Sequence, residues 1–277
     1  MISPEMKLFA NHLADISAPI AKKYFRTANG EFAKADDSPV TKADREIEQI
    51  IRQEIEKKFP DHGILGEEFG AKNVESDWVW IVDPIDGTSS FIIGRPIFGT
   101  LIALTYKKKP VLGVMNQPIT GERWFGTAKD ISTFSNFSQF QGHGQNHSQS
   151  HDQKIFTRNC VEVSEAVMCS SSSFYFKNGD EEILKKISGL TKYQKIGGII
   201  YGGDCYSYAC LASGLVDIVI DCGLKVYDYA ALIPIIEGAG GVISDWQGKD
   251  LGLKSEVNVL ASANKKLHEK LLKILEI

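Results

Sequence analysis

The chain has 277 residues, a formal net charge of −4 and five cysteines. This weak negative charge gives no electrostatic attraction for nucleic acid, and no apolar run approaches the ~20 residues that span a bilayer, so we expect neither nucleic acid nor membrane as a partner. An odd number of cysteines without paired short spacings predicts free thiols, and the first residues lack the order of a secretion signal, so we expect a cytoplasmic protein.

Residues 1–60 predict two helices separated by an extended loop. Apolar residues recur at helical spacing over residues 8–20 and again over residues 47–55. The stretch between them, residues 34–44, combines turn formers with a plausible helix start. Asp44 lies at that start, where it either complements the helix dipole or belongs to a functional site, and the local sequence leaves both open.

The central motif follows a predicted buried strand, residues 78–82, and reads Asp83-Pro84-Ile85-Asp86-Gly87-Thr88. Because proline has no amide proton, we expect the strand to stop at Pro84, and the glycine permits a turn that brings both aspartates and the threonine together. Carboxylates, a backbone carbonyl and a hydroxyl are hard oxygen donors that suit Mg²⁺, Ca²⁺ or Mn²⁺. The alternative is a turn in which the aspartates only satisfy backbone amides.

Two further acids point to the same centre. Glu67 lies in a glycine-flanked stretch, residues 66–70, whereas Asp228 follows an apolar run and precedes a predicted helix. Acids gathered from three segments repel one another unless cations neutralise them, so the sequence predicts a metal site. Glu68 is better explained as a solvated surface acid.

The rest of the chain predicts alternating strands and helices. Strands over residues 98–106 and 111–116 are joined by a hairpin-like turn, and the second half predicts short strands at 165–170, 192–196, 218–220 and 242–244 and helices at 181–186, 205–212 and 229–237. We expect one α/β (α+β) domain, residues 1–277, built of a metal-binding half, 1–131, and a second half, 155–277.

A polar loop, residues 132–154, separates these halves. It is rich in Gln, Ser, Gly, Asn and His, with almost nothing apolar to bury. His143, His147 and His151 recur every four residues, as metal ligands on a helix face would, but Gly142 and Gly144 disfavour that helix. An adventitious metal site is therefore the weaker interpretation.

Several motifs together resemble the inositol monophosphatase family of Mg²⁺-dependent, lithium-sensitive phosphomonoesterases. Their order and separation agree over nearly the whole chain. The motifs that carry the family resemblance are residues 66–68, 83–88, 227–231 and 237–241. Those most similar to its histidinol-phosphatase branch are residues 91–96, 98–104, 117–124, 202–206 and 221–225. The resemblance implies a layered α-β-α-β-α sandwich of the sugar-phosphatase type and a homodimer, for which aromatic residues in 91–104 and 119–125 offer anchors unless they pack in the monomer's core.

The resemblance also implies roles for individual residues. A first Mg²⁺ would be held by Glu67, Asp83, Thr88 and the carbonyl of Ile85, and a second by Asp83, Asp86 and Asp228, with Glu67 able to assist a third. The catalytic set would be Asp44, Glu67 and Thr88, in which Asp44 and Thr88 position the attacking water. The phosphate and the rest of the substrate would contact Gly87, Thr88, Ser89, Gly202, Asp204 and Asp221.

Asp204 and Asp221 are suited to bind a cationic group, because a buried carboxylate forms a charge-assisted hydrogen bond with an ammonium. Each also has a structural alternative. Asp204 can cap a helix, and Asp221 can be a strand-end acid paired with Lys225. The sequence does not choose between these roles.

The function predicted from these residues is Mg²⁺-dependent hydrolysis of histidinol phosphate to histidinol and phosphate, a step of histidine biosynthesis, by direct attack of water. The alternatives are an inositol or broad sugar or nucleotide monophosphatase and, in another class, a factor that binds the transcription machinery and has secondary phosphatase activity. The sequence has no P-loop, no dinucleotide fingerprint, and no second carboxylate two positions after Asp83, the spacing that an aspartyl-phosphate hydrolase needs.

Overall fold

The computed structural model describes residues 2–27, 31–33, 39–128, 130–136, 152–177, 180–190, 199–254 and 256–275. Within these ranges the helices are α1 Pro4–Tyr24, α2 Lys42–Lys58, α3 Thr88–Ile92, α4 Asp180–Ser188, α5 Asp204–Ala212, α6 Val226–Tyr229, α7 Leu232–Gly238 and α8 Lys265–Leu275. The strands are β1 Glu31–Ala33, β2 Pro39–Thr41, β3 Gly63–Gly66, β4 Gly70–Lys72, β5 Trp78–Asp86, β6 Gly99–Tyr106, β7 Lys109–Gln117, β8 Glu122–Thr127, β9 Thr133–Asn136, β10 Gln153–Lys154, β11 Met168–Ser170, β12 Ile200–Tyr201, β13 Ile218–Leu224, β14 Val242–Asp245 and β15 Val257–Ser262.

Two sheets organise the described residues, together with a short β1–β2 hairpin. The larger sheet has the order β10-β9-β8-β7-β6-β5-β3-β4 and is antiparallel except where β3 pairs with β5. The smaller sheet has the order β12-β11-β13-β15-β14, with β11 parallel to both of its neighbours. The larger sheet takes its strands from the chain up to Lys154, and the smaller one begins at Met168.

Alternating side chains divide the larger sheet between two hydrophobic cores. Along β5, Trp80 and Val82 pack with helices α1 and α2, whereas Val79 and Ile81 pack with α5 and α7 on the opposite face. This is the period-two alternation of a strand that is buried on both sides. The first helix pair therefore forms an outer layer, and α5 and α7 form a layer inside the molecule.

The smaller sheet alternates in the same way. On β13, Val219 joins the inner core with α5 and α7, whereas Ile218 and Ile220 face α4 and α8. The five layers are thus helices, sheet, helices, sheet and helices, which confirms the predicted α-β-α-β-α sandwich. No helix within the described ranges is both long and apolar enough to cross a bilayer.

Strand β5 corrects one local expectation. The prediction that the strand stops at Pro84 was wrong, because β5 continues to Asp86, with a register shift against β6 between Asp83 and Asp86. A bulge leaves residues outside the regular ladder, so the missing amide proton of proline is tolerated there. The hydroxyl of Thr100 on β6 donates a hydrogen bond to the carbonyl of Pro84 at 2.8 Å.

Other differences concern where elements begin and end. Part of the predicted polar loop is strand, since β9 and β10 pair antiparallel, whereas its centre, with His143, His147 and His151, lies outside the described residues, as does the predicted strand 192–196. The single helix expected over residues 229–237 is divided into α6 and α7. Strand β15 and helix α8 were not predicted, although α8 buries an apolar face.

Three of the four aromatic residues suggested as homodimer anchors are buried. Phe91, Phe98 and Trp124 are at most 4% exposed and belong to the monomer's own cores, whereas Phe125 is only partly buried. A dimer would therefore need contacts other than those three residues. The homodimer itself stays a prediction, and a light-scattering mass equal to that of one chain would contradict it.

Stability is expected to depend on pH through His268 on α8. Its ring nitrogens lie 2.8 Å from the hydroxyl oxygen of Ser244 and 3.0 Å from that of Ser262, and burial lowers its pKa from 6.5 to about 4. Because the folded protein disfavours the charged ring, the stabilisation is complete above pH ~6.5 and is lost as pH falls towards ~4, by up to about 3 kcal/mol.

The measurement is urea unfolding of wild type and His268→Gln between pH 7 and pH 4.5. The free energy of unfolding of the wild type should fall more steeply than that of the variant. His12→Gln, at a ring that is 49% exposed, is the matched control and should keep the wild-type slope. Equal slopes for wild type and His268→Gln would contradict the assignment.

Candidate active site

A cleft of ≈ 460 Å³ lies where the carboxyl end of β5 meets the start of α5 and the end of β13. It brings together most of the residues that the sequence singled out. The predicted residues that line it are Glu67, Asp83, Ile85, Asp86, Gly87, Thr88, Ser89, Gly202, Asp204 and Asp228. Asp44 and Asp221 are not among the lining residues.

The bulge in β5 shapes the first wall of the cleft. Asp83 is buried, and its Oδ1 accepts a hydrogen bond from the amide of Ile85 at 3.0 Å. The hydroxyl of Thr88 donates to the carbonyl oxygen of Ile85, also at 3.0 Å. The chain then turns at Gly87, whose φ of +83° suits glycine, into the short helix α3. The oxygen donors predicted from the motif are therefore neighbours in space.

Two contacts connect this wall to the second half of the chain. The amide of Cys205, at the start of α5, donates to Asp86 Oδ2 at 2.6 Å. Asp228 lies inside α6 rather than before it, and its Oδ2 accepts from the amide of Lys225 at 2.7 Å. As a result, one carboxylate oxygen each from Asp83, Asp86 and Asp228 lies within 4.8 Å of the other two.

The electrostatics of this cluster match a cation site. Burial, reinforced by the charge of Glu67, raises the pKa of Asp83 well above its usual range. Burial, reinforced by the charge of Asp204, does the same to the pKa of Asp86, and burial raises the pKa of Asp228 to about 7. A divalent cation would allow all three groups to ionise, and an all-oxygen donor set suits Mg²⁺, Ca²⁺ or Mn²⁺. The residues present therefore fit the ion that the sequence predicted.

Glu67 and Asp44 approach the cluster from the first half. Glu67 lies in the turn between β3 and β4, where its amide donates to the carbonyl of Val82 at 3.3 Å. Asp44 is 2% exposed on the first turn of α2, and its charge contributes to the raised pKa of Asp83. A role at the helix dipole alone would not require Asp44 to lie close enough to Asp83 to affect its pKa.

Asp204 occupies an unusual backbone position at the edge of the cleft. Its φ is +39°, directly after two glycines with positive φ. A Cβ built on Gly87 would lie 2.8 Å from Asp204 Oδ2, so the carboxylate approaches the turn that follows β5. Burial raises the pKa of Asp204, whereas a hydrogen bond from Ser171 and the positive charge of Arg95 oppose that shift. Gly203, not Asp204, is the N-cap of α5.

Asp221 corrects a prediction. It is 1% exposed, and its two oxygens accept hydrogen bonds from the hydroxyl of Ser170, from the amide and hydroxyl of Ser171, and from the hydroxyl of Tyr208, at 2.7–3.1 Å. With four donors inside the protein, this carboxylate does not have the exposed acceptor that direct recognition of a substrate cation needs. The pairing with Lys225 was wrong too, since Lys225 Nζ contacts Glu256.

Sequence reasoning missed one side of the cleft. Arg95, Ser171, Ser172, Tyr175 and Tyr208 also line it. A signal for the serines was present, because a serine run directly follows the apolar residues of β11, as polar residues follow β5. Nothing local identified Arg95 or Tyr175, whose place in the cleft depends on packing between distant segments.

Comparisons with known proteins agree with this geometry. The model of the inositol monophosphatase family matches residues 4–277. The bifunctional phosphatase IMPL2, chloroplastic, of Arabidopsis thaliana is 42% identical over 275 residues, which cover 96% of this chain and 73% of that protein. A histidinol-phosphatase of Chlorobaculum parvum is 35% identical, covering 98% of this chain and 96% of that one. The solved structure of an inositol monophosphatase from Zymomonas mobilis has a TM-score of 0.83 and 38% identity, with 100% coverage of both chains.

Proposed function

The chain belongs to the inositol monophosphatase family, whose members are metal-dependent phosphoric monoester hydrolases, and we propose that its substrate is histidinol phosphate. The observation that carries the choice of substrate is the carboxylate of Asp204 beside Gly87. The 35% identity to a histidinol-phosphatase supports the same choice. The reaction would release histidinol and inorganic phosphate and would serve histidine biosynthesis.

We propose Mg²⁺ as the cation and two or three ions per site. The first would be held by Glu67, Asp83, Thr88 and the carbonyl of Ile85, and the second by Asp83, Asp86 and Asp228, with Glu67 assisting a third. When bound, such ions polarise phosphoryl oxygens, lower the pKa of a coordinated water and neutralise the leaving alkoxide. The same proposal includes inhibition of the phosphatase activity by lithium.

The chain's own groups would orient the reactants. Gly87, Thr88 and Ser89 line the cleft at the turn after β5, and we propose that the first two amides and the Ser89 hydroxyl donate hydrogen bonds to the phosphate. Asp44 and Thr88 would position the attacking water, with Asp44 accepting its proton. Placing reactants in this way supplies much of the rate of phosphoryl transfer, in which the protein has little covalent chemistry to perform.

The position of Asp204 supports the choice of an alcohol that carries a cation. In histidinol phosphate the ammonium is on the carbon adjacent to the one that bears the ester oxygen, so it must lie close to the phosphate. Asp204 lies next to the turn proposed to bind phosphate, and its charge acts on Asp86. A carboxylate there would pair with such an ammonium. Inositol phosphates offer only a neutral hydroxyl at the corresponding distance.

Two alternatives remain as outcomes of experiment. An inositol monophosphatase of Mesembryanthemum crystallinum is 32% identical over 251 residues, so a broad monophosphatase is the nearest competing function. Proteins named Nus factor SuhB are 28–29% identical, and they represent the protein-binding class considered from the sequence. No described surface of this chain gives a specific reason to favour that class, so we do not propose it.

The metal proposal predicts that chelation abolishes phosphate release from histidinol phosphate and that added Mg²⁺ restores it. Asp86→Asn, which removes one ligand charge at almost constant volume, should keep the thermal midpoint within a few degrees and lower kcat/KM by at least about 100-fold. Glu75→Gln, at an 84% exposed side chain, is the matched control and should retain wild-type activity. Full turnover in excess chelator would refute the mechanism.

The substrate proposal predicts a selective effect of Asp204→Asn. Loss of a charged hydrogen bond should cost roughly 1.5–3 kcal/mol, which lowers kcat/KM for histidinol phosphate by roughly 10- to 150-fold. For the analogue in which hydrogen replaces the amino group, and for inositol phosphate, the same substitution should change kcat/KM by less than about threefold.

The wild type should prefer histidinol phosphate to both comparison substrates by at least about tenfold in kcat/KM, because a substrate without a cation brings no charged group to the partly buried carboxylate of Asp204. The assay is phosphate release under steady-state conditions. Equal wild-type rates on all three compounds would overturn the choice of substrate and leave the metal chemistry intact.

A further inference from the structure

The geometry points to Glu48 as a positioning residue that fixes the loop carrying Glu67. Glu48 lies on α2, one turn after Asp44, and its side chain is fully buried. Its carboxylate accepts hydrogen bonds from the amide of Glu68 at 2.6 Å and from the amide of Phe69 at 3.2 Å. Glu48 therefore fixes the position of the two successive backbone amides that directly follow Glu67.

Gly66 shows how closely Glu48 fits this loop. A Cβ built on Gly66 would lie 1.9 Å from Glu48 Oε1 and 2.3 Å from its carboxyl carbon, a contact that real atoms do not make. The Glu48 carboxylate thus fills the space beside residue 66, and only glycine leaves room for it. The residues before and after Glu67 are both shaped by the same buried group.

Two arginines on the same face of α2 also contact the loop that carries Glu67. Arg52, one helical turn after Glu48, donates from Nε to Glu48 Oε1 at 2.7 Å and from Nη2 to the carbonyl of Gly70. Arg45, one turn before it, pairs with Glu68 at 3.6 Å. The Glu68 side chain is 3% exposed, so the prediction of a solvated surface acid was wrong. Residues three and four apart share a helix face, so the three side chains form a row along the loop. These contacts go to the residues that flank Glu67.

A buried ion pair is an expensive way to stabilise a fold, because desolvation offsets most of the attraction, and a well-packed apolar pair is often as stable. The Glu48–Arg52 pair instead provides directed acceptors and donors at fixed positions. Partners that orient a ligating carboxylate usually change metal affinity or activity by 10- to 100-fold when they are removed. We therefore assign Glu48 to the orientation of Glu67 towards the cation. This assignment rests on the proposed function.

The test is a titration of the metal-free protein with Mg²⁺ alone, in which isothermal titration calorimetry measures the binding. Glu48→Ala should raise the Mg²⁺ dissociation constant by about 10- to 100-fold. Glu48→Gln retains one acceptor oxygen and should lose less, whereas Gly66→Ala displaces the carboxylate and should weaken binding as Glu48→Ala does. In phosphate release, all three variants should need more Mg²⁺ for half-maximal rate, with KM for substrate changed less than this Mg²⁺ requirement.

Asp217→Asn is the matched control. Asp217 is also fully buried, and it accepts hydrogen bonds from Arg158 and from the amide of Val167, but it lies at the opposite end of β13. This variant should lower the thermal midpoint and leave the Mg²⁺ dissociation constant unchanged. A loss of affinity in Asp217→Asn as large as in Glu48→Ala would show a general effect of destabilisation and overturn the assignment.

Two outcomes separate this inference from the function on which it rests. If the wild type binds Mg²⁺ and the folded variants Glu48→Gln and Gly66→Ala bind it equally well, the positioning role is overturned and the proposed function stands. If the wild type does not bind Mg²⁺, the proposed function fails and the inference fails with it.

Discussion

Repulsion between carboxylates is the constraint on which this structure depends. Asp83, Asp86 and Asp228 hold oxygens within 4.8 Å of one another in a partly buried cleft, where unneutralised charges are costly. Each of the three accepts one backbone amide, supplied in turn by Ile85, Cys205 and Lys225. Those bonds fix the carboxylates in place without neutralising them. The fold therefore maintains an arrangement whose fully ionised form is favourable only with a cation, and functional sites often store strain in this way.

The cluster exists only when the two sheets are packed together. Asp83 and Asp86 come from the larger sheet, whereas Asp228 and the Cys205 amide come from the layer of helices between the sheets. That layer shares one core with both sheets. A cavity in this inner core would consequently shift the carboxylates relative to one another. Activity should therefore be more sensitive to large-to-small substitutions in the inner core than to the same substitutions in the core that α8 covers.

The parts of the site that were predictable are the parts fixed by short-range chemistry. Asp83, Asp86 and Thr88 lie within six residues, so the turn required by Gly87 largely determined their meeting. The end of β5 was missed because the rule for proline applies to a regular ladder and not to a bulge. The helix α8 was overlooked despite its apolar periodicity. Asp204 and Asp221 were indistinguishable in sequence, because their difference is created by packing across distant segments.

Asp221 shows why such a difference matters for substrate choice. Its four hydrogen bonds tie the end of β11 and helix α5 to β13, and one of its donors, Ser171, also bonds Asp204. Asp204, the acid proposed to contact the alcohol, and Asp221 therefore share Ser171 as a hydrogen-bond donor. The cleft that holds the carboxylate cluster is also lined by three separate segments, at Arg95, at Ser171 to Tyr175 and at Gly202 to Asp204. Substitutions in the first two segments can alter the alcohol that fits, whereas the third leads directly into Cys205, whose amide holds Asp86. A fold organised in this way can retain one phosphate chemistry while its members differ in substrate.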